Sequence, residues 1–501
     1  MINQQVEAVQ EIALKLWMRI PARLRQIVLG VAGGLFLALV MQKNIYYGIV
    51  LALLLAGLSV LLFEPAVTIY AMVLLLPLGW LTVMGERLKA ITVLTMPAFA
   101  YAMFFVLYRR RKLEEPLVWA CVALISSWFI SMLNAVDVGW SLFAIKVPLF
   151  SYLFAFAMFM FIDTEDKLKV VWWILVFQGL WLSVLAVFQS FGGAPFFPLV
   201  RLGLVPEGIL TFYKEAEIYR ASGTFESGPR FALFMLAPFS LALARAIDLQ
   251  RPISSRMLWA FASVVMSVGL LLSLTRAVFI IIPLIAYLIY KKAGRGIVLV
   301  RTAVSILVIA SITTAILYWM LPATVWEALA RRFSPSGTTF YMDRTYFMYI
   351  AFRAFLENPL TGVGIGNFPL HSWDLMQKYP AFWYTQFWDI HPLAFGGNIT
   401  VHNSYVRMLA ETSIWGLGAM IAIIVLTFRN YSYALKRLKG TDIYLPALAM
   451  FACFVGMVIY WFPHEYFLEE PYTSVLPIAF SAVLKKIADR YGNLRAPSSS
   501  P

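Results

Sequence analysis

The sequence predicts an all-α integral membrane protein with about twelve to fourteen transmembrane helices and a long outer loop containing short helices. Three observations predict it. Apolar runs long enough to cross a bilayer recur along the chain, hydrophobic residues make up 61% of it against 13% charged, and the basic residues gather in short connections between the runs. Soluble domains carry about 25% charged residues, so this composition excludes them. A net charge of +14 can signal a nucleic-acid partner. Here its placement between apolar runs is how membrane topology is encoded, and no nucleic acid is expected.

Taken in order, residues 1–26 carry Lys15, Arg19, Arg23 and Arg25 ahead of the first run. No small-residue cleavage signature follows, so they read as a cytoplasmic amphipathic leader. Candidate spans then fall near 27–41, 45–63, 66–84, 91–108, 116–135, 142–162, 170–191, 231–247, 257–275, 277–290 and 302–321. Three more follow near 405–428, 443–462 and 471–487. The chain divides into a bundle at 27–321 with an outer loop at 192–230, a long extracytoplasmic loop at 322–404, C-terminal spans at 405–487 and a cytoplasmic tail at 488–501.

The positive-inside rule fixes the orientation. With the N-terminus inside, Arg109-Arg110-Arg111-Lys112, Arg251 with Arg256, Lys291-Lys292 with Arg295, Arg429 with Lys436-Arg437-Lys439, and the tail from Lys485 all face the cytoplasm. The two long loops and the Pro463-His464-Glu465 turn then face outside. A multi-pass protein of the cytoplasmic membrane with both termini inside is expected. Cys121 and Cys453 each sit in an apolar run, so neither a disulfide framework nor a cysteine metal site is indicated.

Within the second long loop, Asp343 is placed to cap a helix from Arg344 to about Glu357, stopped by Pro359. Tyr346, Phe347, Ile350, Ala351, Ala354 and Phe355 give it an apolar face suited to the membrane surface. Gly362, Gly364 and Gly366 follow, alternating as a tight turn with close backbone approach requires. They are not read as a nucleotide fingerprint, because no strand precedes them.

Six arginines oppose the orientation bias: Arg220, Arg230, Arg276, Arg344, Arg353 and Arg407 lie in outer loops or at outer helix ends. Charge near hydrocarbon is costly and usually faces a cavity or a partner, though one arginine alone can snorkel to headgroups. The planar guanidinium suits oxygen-rich phosphate groups, so an anionic lipid headgroup is the natural ligand.

The passages Arg220-Ala-Ser-Gly223-Thr-Phe225, Ser273-Leu-Thr-Arg276, Arg344 with Pro359-Leu-Thr-Gly362-Val-Gly-Ile-Gly366-Asn367-Phe368, and His402-Asn403-Ser-Tyr405 with Glu411 to Gly416 resemble the O-antigen ligase and polymerase superfamily. The resemblance covers roughly residues 210–425. It implies a GT-C-like membrane glycosyltransferase that uses undecaprenyl-diphosphate-linked glycans outside the cytoplasmic membrane, with a saccharide acceptor such as lipid A-core or a growing glycan. Arg220, Arg276 and His402 match the family's functional arginine, arginine and histidine positions, and Arg344 is grouped with the diphosphate-binding arginines. Some members add an acidic residue in the late outer region, for which Asp389 and Glu465 are the candidates here.

Glycosyl transfer from a lipid diphosphate needs charge stabilisation on the departing diphosphate and removal of a proton from the acceptor hydroxyl. Arg220 and Arg276 suit the first need and His402 the second. The blander role for His402 is a helix cap or a headgroup contact. Arg407 and Glu411, spaced i,i+4 on the same face as Asn403, read as a supporting ion pair at the start of the helix. His371, His391 and His464 are widely scattered, and Asp137, Glu207, Glu215 and Glu217 lack ligand spacing. No metal and no cofactor is therefore expected. A flippase of lipid-linked saccharide would also be polytopic and basic, but would tend to show internal repeats. A non-catalytic subunit of an export assembly would not need His402. Ligase and polymerase both remain open at this level.

Overall fold

The computed structural model describes residues 64–78, 82–83, 88–108, 114–197, 214–215, 218–293, 338–380 and 400–495. The leader, the candidate spans 27–41, 45–63 and 302–321, and Asp389 and His391 lie outside these residues.

The chain is an all-α integral membrane protein. Its helices are α1 (Pro65–Leu74), α2 (Ala90–Tyr108), α3 (Pro116–Ser131), α4 (Val138–Phe161), α5 (Glu165–Gly192), α6 (Gly228–Ala246), α7 (Ile253–Leu272) and α8 (Arg276–Lys292). Then come α9 (Thr338–Glu357), α10 (Phe368–Lys378), α11 (Ser404–Arg437), α12 (Tyr444–Tyr460), the short α13 (Tyr466–Glu469) and α14 (Pro471–Arg495). Two two-residue ladders, Thr82–Val83 with Leu88–Lys89 and Lys214–Glu215 with Ile218–Tyr219, tighten two of the connections. Among the described residues five helices are long and apolar enough to cross a membrane: α3 continued to Asn134, α4, α5, α7 and α11.

Local signals in the sequence set the helix starts. Asp137 accepts from Trp140 N at 2.9 Å to open α4, and Asn403 accepts from Tyr405 N and Val406 N at 2.9 and 3.0 Å to open α11. Pro stands in the first turn of α3 and α6, where the missing N–H costs nothing.

Helices α6 and α12 are apolar nearly all round and buried, and α14 is buried over residues 471–484, so the three form the centre of the bundle. Helix α6 packs on α5, α7 and α12, α3 on α11, and α4 and α11 on α14. The outer helices expose large apolar side chains, among them Trp119, Trp173, Phe177 and Phe261. In water such faces would drive association, whereas in a bilayer they are the solvated surface.

Helix α9 begins at Thr338, six residues before the expected start. Asp343 therefore lies inside the helix rather than at its cap. The end at Glu357, two residues before Pro359, follows the sequence. Tyr346, Ile350, Ala351 and Ala354 are buried in a second core with Val363, Phe368, Leu375, Met376, Val401 and Ala410. The apolar face of α9 thus turns toward α10 and the first turns of α11.

Candidate active site

The site is assembled where the first turns of α11 meet the glycine segment. Ser413 has φ 61° and ψ −164°, which breaks α11 after its first turns. A break removes i→i+4 bonds and leaves carbonyls to satisfy. Here Val363 N donates to Ala410 O at 3.0 Å and Gly364 N to Glu411 O at 3.1 Å. Ser413 Oγ donates to Pro359 O, and Gly366 N donates to Glu411 Oε2 at 2.9 Å. Gly362 and Gly364 have φ of 71° and 91°; a Cβ at 362 would lie 2.5 Å from the Glu411 carbonyl, and one at 364 would lie 2.6 Å from the Ala135 side chain. The glycine turn is thus a backbone clamp on a broken helix.

The other side of the clamp grips the α3–α4 connection. Asn134 Nδ2 donates to Gly362 O at 2.9 Å, Ser141 Oγ to Ile365 O at 2.8 Å, and Trp140 Nε1 to Gly366 O at 2.9 Å. Asn367, fully buried, accepts from Asp137 N at 2.9 Å and donates to Ser141 Oγ at 2.6 Å.

The six arginines separate into two groups. Arg220, Arg276 and Arg344 line one cavity of about 670 Å³, which also takes in His464 and the first turn of α8. Arg220 Nε donates to Ser273 O at 3.2 Å and Arg344 Nη1 to Pro463 O at 3.2 Å. Backbone carbonyls orient Arg220 and Arg344, and among the described residues no carboxylate lines the cavity. The N-terminus of α8 adds its dipole and first-turn N–H groups, an arrangement suited to an anion. Ile280, Ile459 and Phe462 complete the wall and are 70%, 41% and 66% exposed, so the cavity opens sideways over an apolar surface.

The remaining arginines are engaged elsewhere. Arg407 Nε is 3.1 Å from Glu411 Oε1, and its Nη1 pairs with Glu465 and, at 3.1 Å, with Glu469. Arg230 pairs with Glu226, with Glu470 at 3.0 Å and with Glu469 at 3.7 Å. Arg353 lies over the Tyr379 ring at 4.0 Å. Arg407, Arg230 and their five glutamates therefore form a carboxylate-rich network beside a cationic cavity.

His402 stands at this boundary. Asn403 is the cap, so capping is not the role of His402. His402 has φ 54°, its backbone N donates to Glu465, and its ring lies 3.2 and 3.4 Å from Thr400 Oγ1. Burial, with Arg344 nearby, pushes the imidazole down to about 4. His402 is beside the cavity and electrically coupled to His464, while His464 itself is in the cavity wall. His464 stacks between Tyr460 and Tyr466, with ring centroids 4.6 and 5.0 Å away, and burial with Arg344, His402 and Arg220 pushes it down to about 3. At those values both rings are neutral near pH 7, so each offers an unprotonated nitrogen, one that burial and the nearby arginines make weakly basic. Burial pushes the Glu465 carboxyl up to about 7 against the pull of Arg407.

Sequence reasoning passed over His464, which stands alone in a three-residue turn. Its signal was positional: that turn joins two spans on the side assigned to the loops. Among the described residues no group of three or more His, Cys, Asp and Glu is arranged to hold a metal ion.

No curated protein matches the chain. The family model described as O-antigen ligase matches residues 261–421, about a third of the chain, a stretch that takes in Arg276, Arg344, the glycine clamp, His402, Arg407 and Glu411. Residues 261–421 of this all-α membrane protein are thus similar to the O-antigen ligase family, which supports the resemblance read from the sequence.

Proposed function

We propose that the protein is a membrane glycosyltransferase of the O-antigen ligase type. It transfers or polymerises glycan from an undecaprenyl-diphosphate-linked donor to a saccharide acceptor, on the outer side of the cytoplasmic membrane. The observation that carries this reading is the meeting of Arg220, Arg276 and Arg344, from three distant parts of the chain, in a cavity with a neutral histidine and an apolar side opening. A lipid diphosphate has the matching parts: charged oxygens for the guanidiniums and a long hydrocarbon chain for the surface of Ile280, Ile459 and Phe462.

In the transfer step the acceptor hydroxyl oxygen forms a bond to the anomeric carbon as the bond from that carbon to the diphosphate oxygen breaks. The electron pair stays on the diphosphate, where the arginines stabilise the added charge. The hydroxyl proton passes to an imidazole nitrogen. Three arginines and a helix N-terminus supply the role a divalent cation has in other phosphate chemistry, so transfer is expected to be metal-independent. His402 is the base implied by the resemblance. The position of His464 in the cavity wall supports a second assignment, with His464 taking the proton and His402 adjusting its basicity.

A flippase or an export subunit would need no base. The test is purified protein in detergent, given a lipid-diphosphate glycan and an acceptor after thorough chelation. Glycan transfer is expected; failure to transfer with any lipid-diphosphate donor overturns the reading, and transfer that returns only with magnesium or manganese overturns metal independence.

A further inference from the structure

A second cavity, of about 210 Å³, lies at the other ends of the helices that build the first. Helix α6 starts at Gly228 beside the Arg220 loop and ends at Ala246, and α12 runs from Tyr444 to Tyr460 beside His464. Arg230 and Arg245 on α6 are thus about 22 Å apart along the axis at about 1.5 Å per residue. The basic clusters assign this second end to the cytoplasmic side.

Its wall holds three cations, Lys169, Arg245 and Arg251, three tryptophans, Trp172, Trp173 and Trp259, and one acid, Asp442. Two of the cations have close carboxylate partners: Lys169 meets Glu165 at 2.5 Å, and Arg251 Nε meets Asp248 Oδ2 at 3.2 Å. Arg245 differs. Its side chain is 12% exposed, its Nη1 has no hydrogen-bond partner among the described residues, and the Asp248 oxygen nearest to that atom is 3.9 Å away. A buried N–H without an acceptor is costly, and a guanidinium presents such groups in the planar fork that fits phosphate oxygens.

The shape of the cavity tells which phosphate. On α5, Trp172, Trp173 and Val176 follow Lys169 by three, four and seven residues, and on α6 Leu241 precedes Arg245 by one turn. Charge therefore sits at the helix ends and apolar surface extends about 10 Å inward from it. Trp173 is 61% exposed and lies 5.1 Å, centroid to centroid, from Trp259, as aromatic side chains do at a membrane–water boundary. A free phosphate would use only the charged rim.

We infer that this cavity binds the phosphate headgroup of an anionic membrane lipid, with Arg245 as its principal ligand and the tryptophans against the glycerol and upper acyl carbons. Asp442 can accept from a headgroup hydroxyl, which favours phosphatidylglycerol over a bare phosphate monoester. The site is independent of glycan transfer.

The test is native mass spectrometry of the full chain in detergent with dioleoyl phosphatidylglycerol, dioleoyl phosphatidylcholine or inorganic phosphate added. The wild type is expected to retain one phosphatidylglycerol in preference to phosphatidylcholine. Arg245→Gln should weaken that binding at least about tenfold, and Arg429→Gln, an exposed cation at the same end of the bundle, should leave it unchanged. Arg245→Lys keeps the charge without the fork and should also bind several-fold less tightly, which keeps the question open to test if Arg245→Gln does not fold. Equal binding by wild type and Arg245→Lys, an equal loss in Arg429→Gln, or displacement of the lipid by millimolar phosphate would each overturn the inference.

Discussion

Replacing His402 separates chemistry from structure, provided the substitution respects the backbone. At φ 54° the residue is in the left-handed region, where Ala is strained and Asn is tolerated. His402→Asn is therefore the informative change. The bond from the backbone N of residue 402 to Glu465 survives it, and so does the Asn403 cap. What the side chain gives up structurally is its contact with Thr400 Oγ1, worth about 1 kcal/mol. Loss of a general base costs about 10²–10⁴-fold in rate, or about 2.7–5.4 kcal/mol in the barrier. The two readings thus differ by a margin that an assay resolves. Glycan transfer is measured with equal amounts of wild type and variant, alongside donor-lipid binding and a thermal melt. A melting temperature within a few degrees, unchanged donor binding and a hundredfold or greater loss of turnover are expected if His402 takes the proton. Full turnover in His402→Asn together with lost turnover in His464→Gln would move that role to His464, and full turnover in both would refute imidazole catalysis altogether.

Arg276→Lys keeps the charge at the start of α8 but not the bidentate fork, and donor affinity and transfer should remain strongly impaired; near-normal activity would leave only a general charge requirement. Gly362→Ala places a Cβ 2.5 Å from the Glu411 carbonyl and endangers the two bonds to Ala410 and Glu411. A loss of about 2–5 kcal/mol is expected, and an unchanged melting temperature would contradict the clamp. His402 and His464 are held down to about 4 and 3 from 6.5. The stability they contribute is present above pH 6.5 and lost as pH falls through those values, whereas Glu465, raised from 4.5 to about 7, contributes stability below 4.5 that is lost as pH rises through 7. Two groups oppose one, so the protein should lose stability on acidification below pH 6.5, and more steeply in Glu465→Gln; a flat profile in that variant would contradict these shifts. Cysteines at Lys378 and Lys439 should divide by side: an impermeant thiol reagent on intact cells should label position 378 and spare 439, and the reverse pattern would invert the orientation.

Much of the fold was legible because apolar runs of bilayer length have few alternative uses. The start of α9 was not, since Asp343 has the chemistry of a cap and Thr338 to Met342, ahead of it, carry no periodic apolar face, yet the helix runs through them. Among the wrong-side arginines the i,i+4 spacing pointed Arg407 to Glu411, but nothing local showed the carboxylates that reach Arg230 and Arg407 from far along the chain. Arg407 and Arg230 find these carboxylates in the α12–α14 connection, Glu465 standing 58 residues beyond Arg407 and Glu470 more than two hundred beyond Arg230. Pairing at such separations leaves no periodic trace. His464 stayed hidden for a related reason: a lone histidine in a short turn acquires its meaning only when Tyr460, Tyr466 and the arginine cavity surround it.

The break at Ser413 bears on the order in which the chain is built. Exposed helix carbonyls at membrane depth cost several kcal/mol each, so a rod broken at this point would be a poor object to insert on its own. Its partners are all made earlier. Residues 131–141 are synthesised first, the clamp at 358–367 is then laid onto them, and the carbonyls of Ala410 and Glu411 emerge last, to donors already in place. A chain folding from its N-terminus as it leaves the ribosome thus meets each unsatisfied group after the group that satisfies it, and the interrupted helix never has to wait.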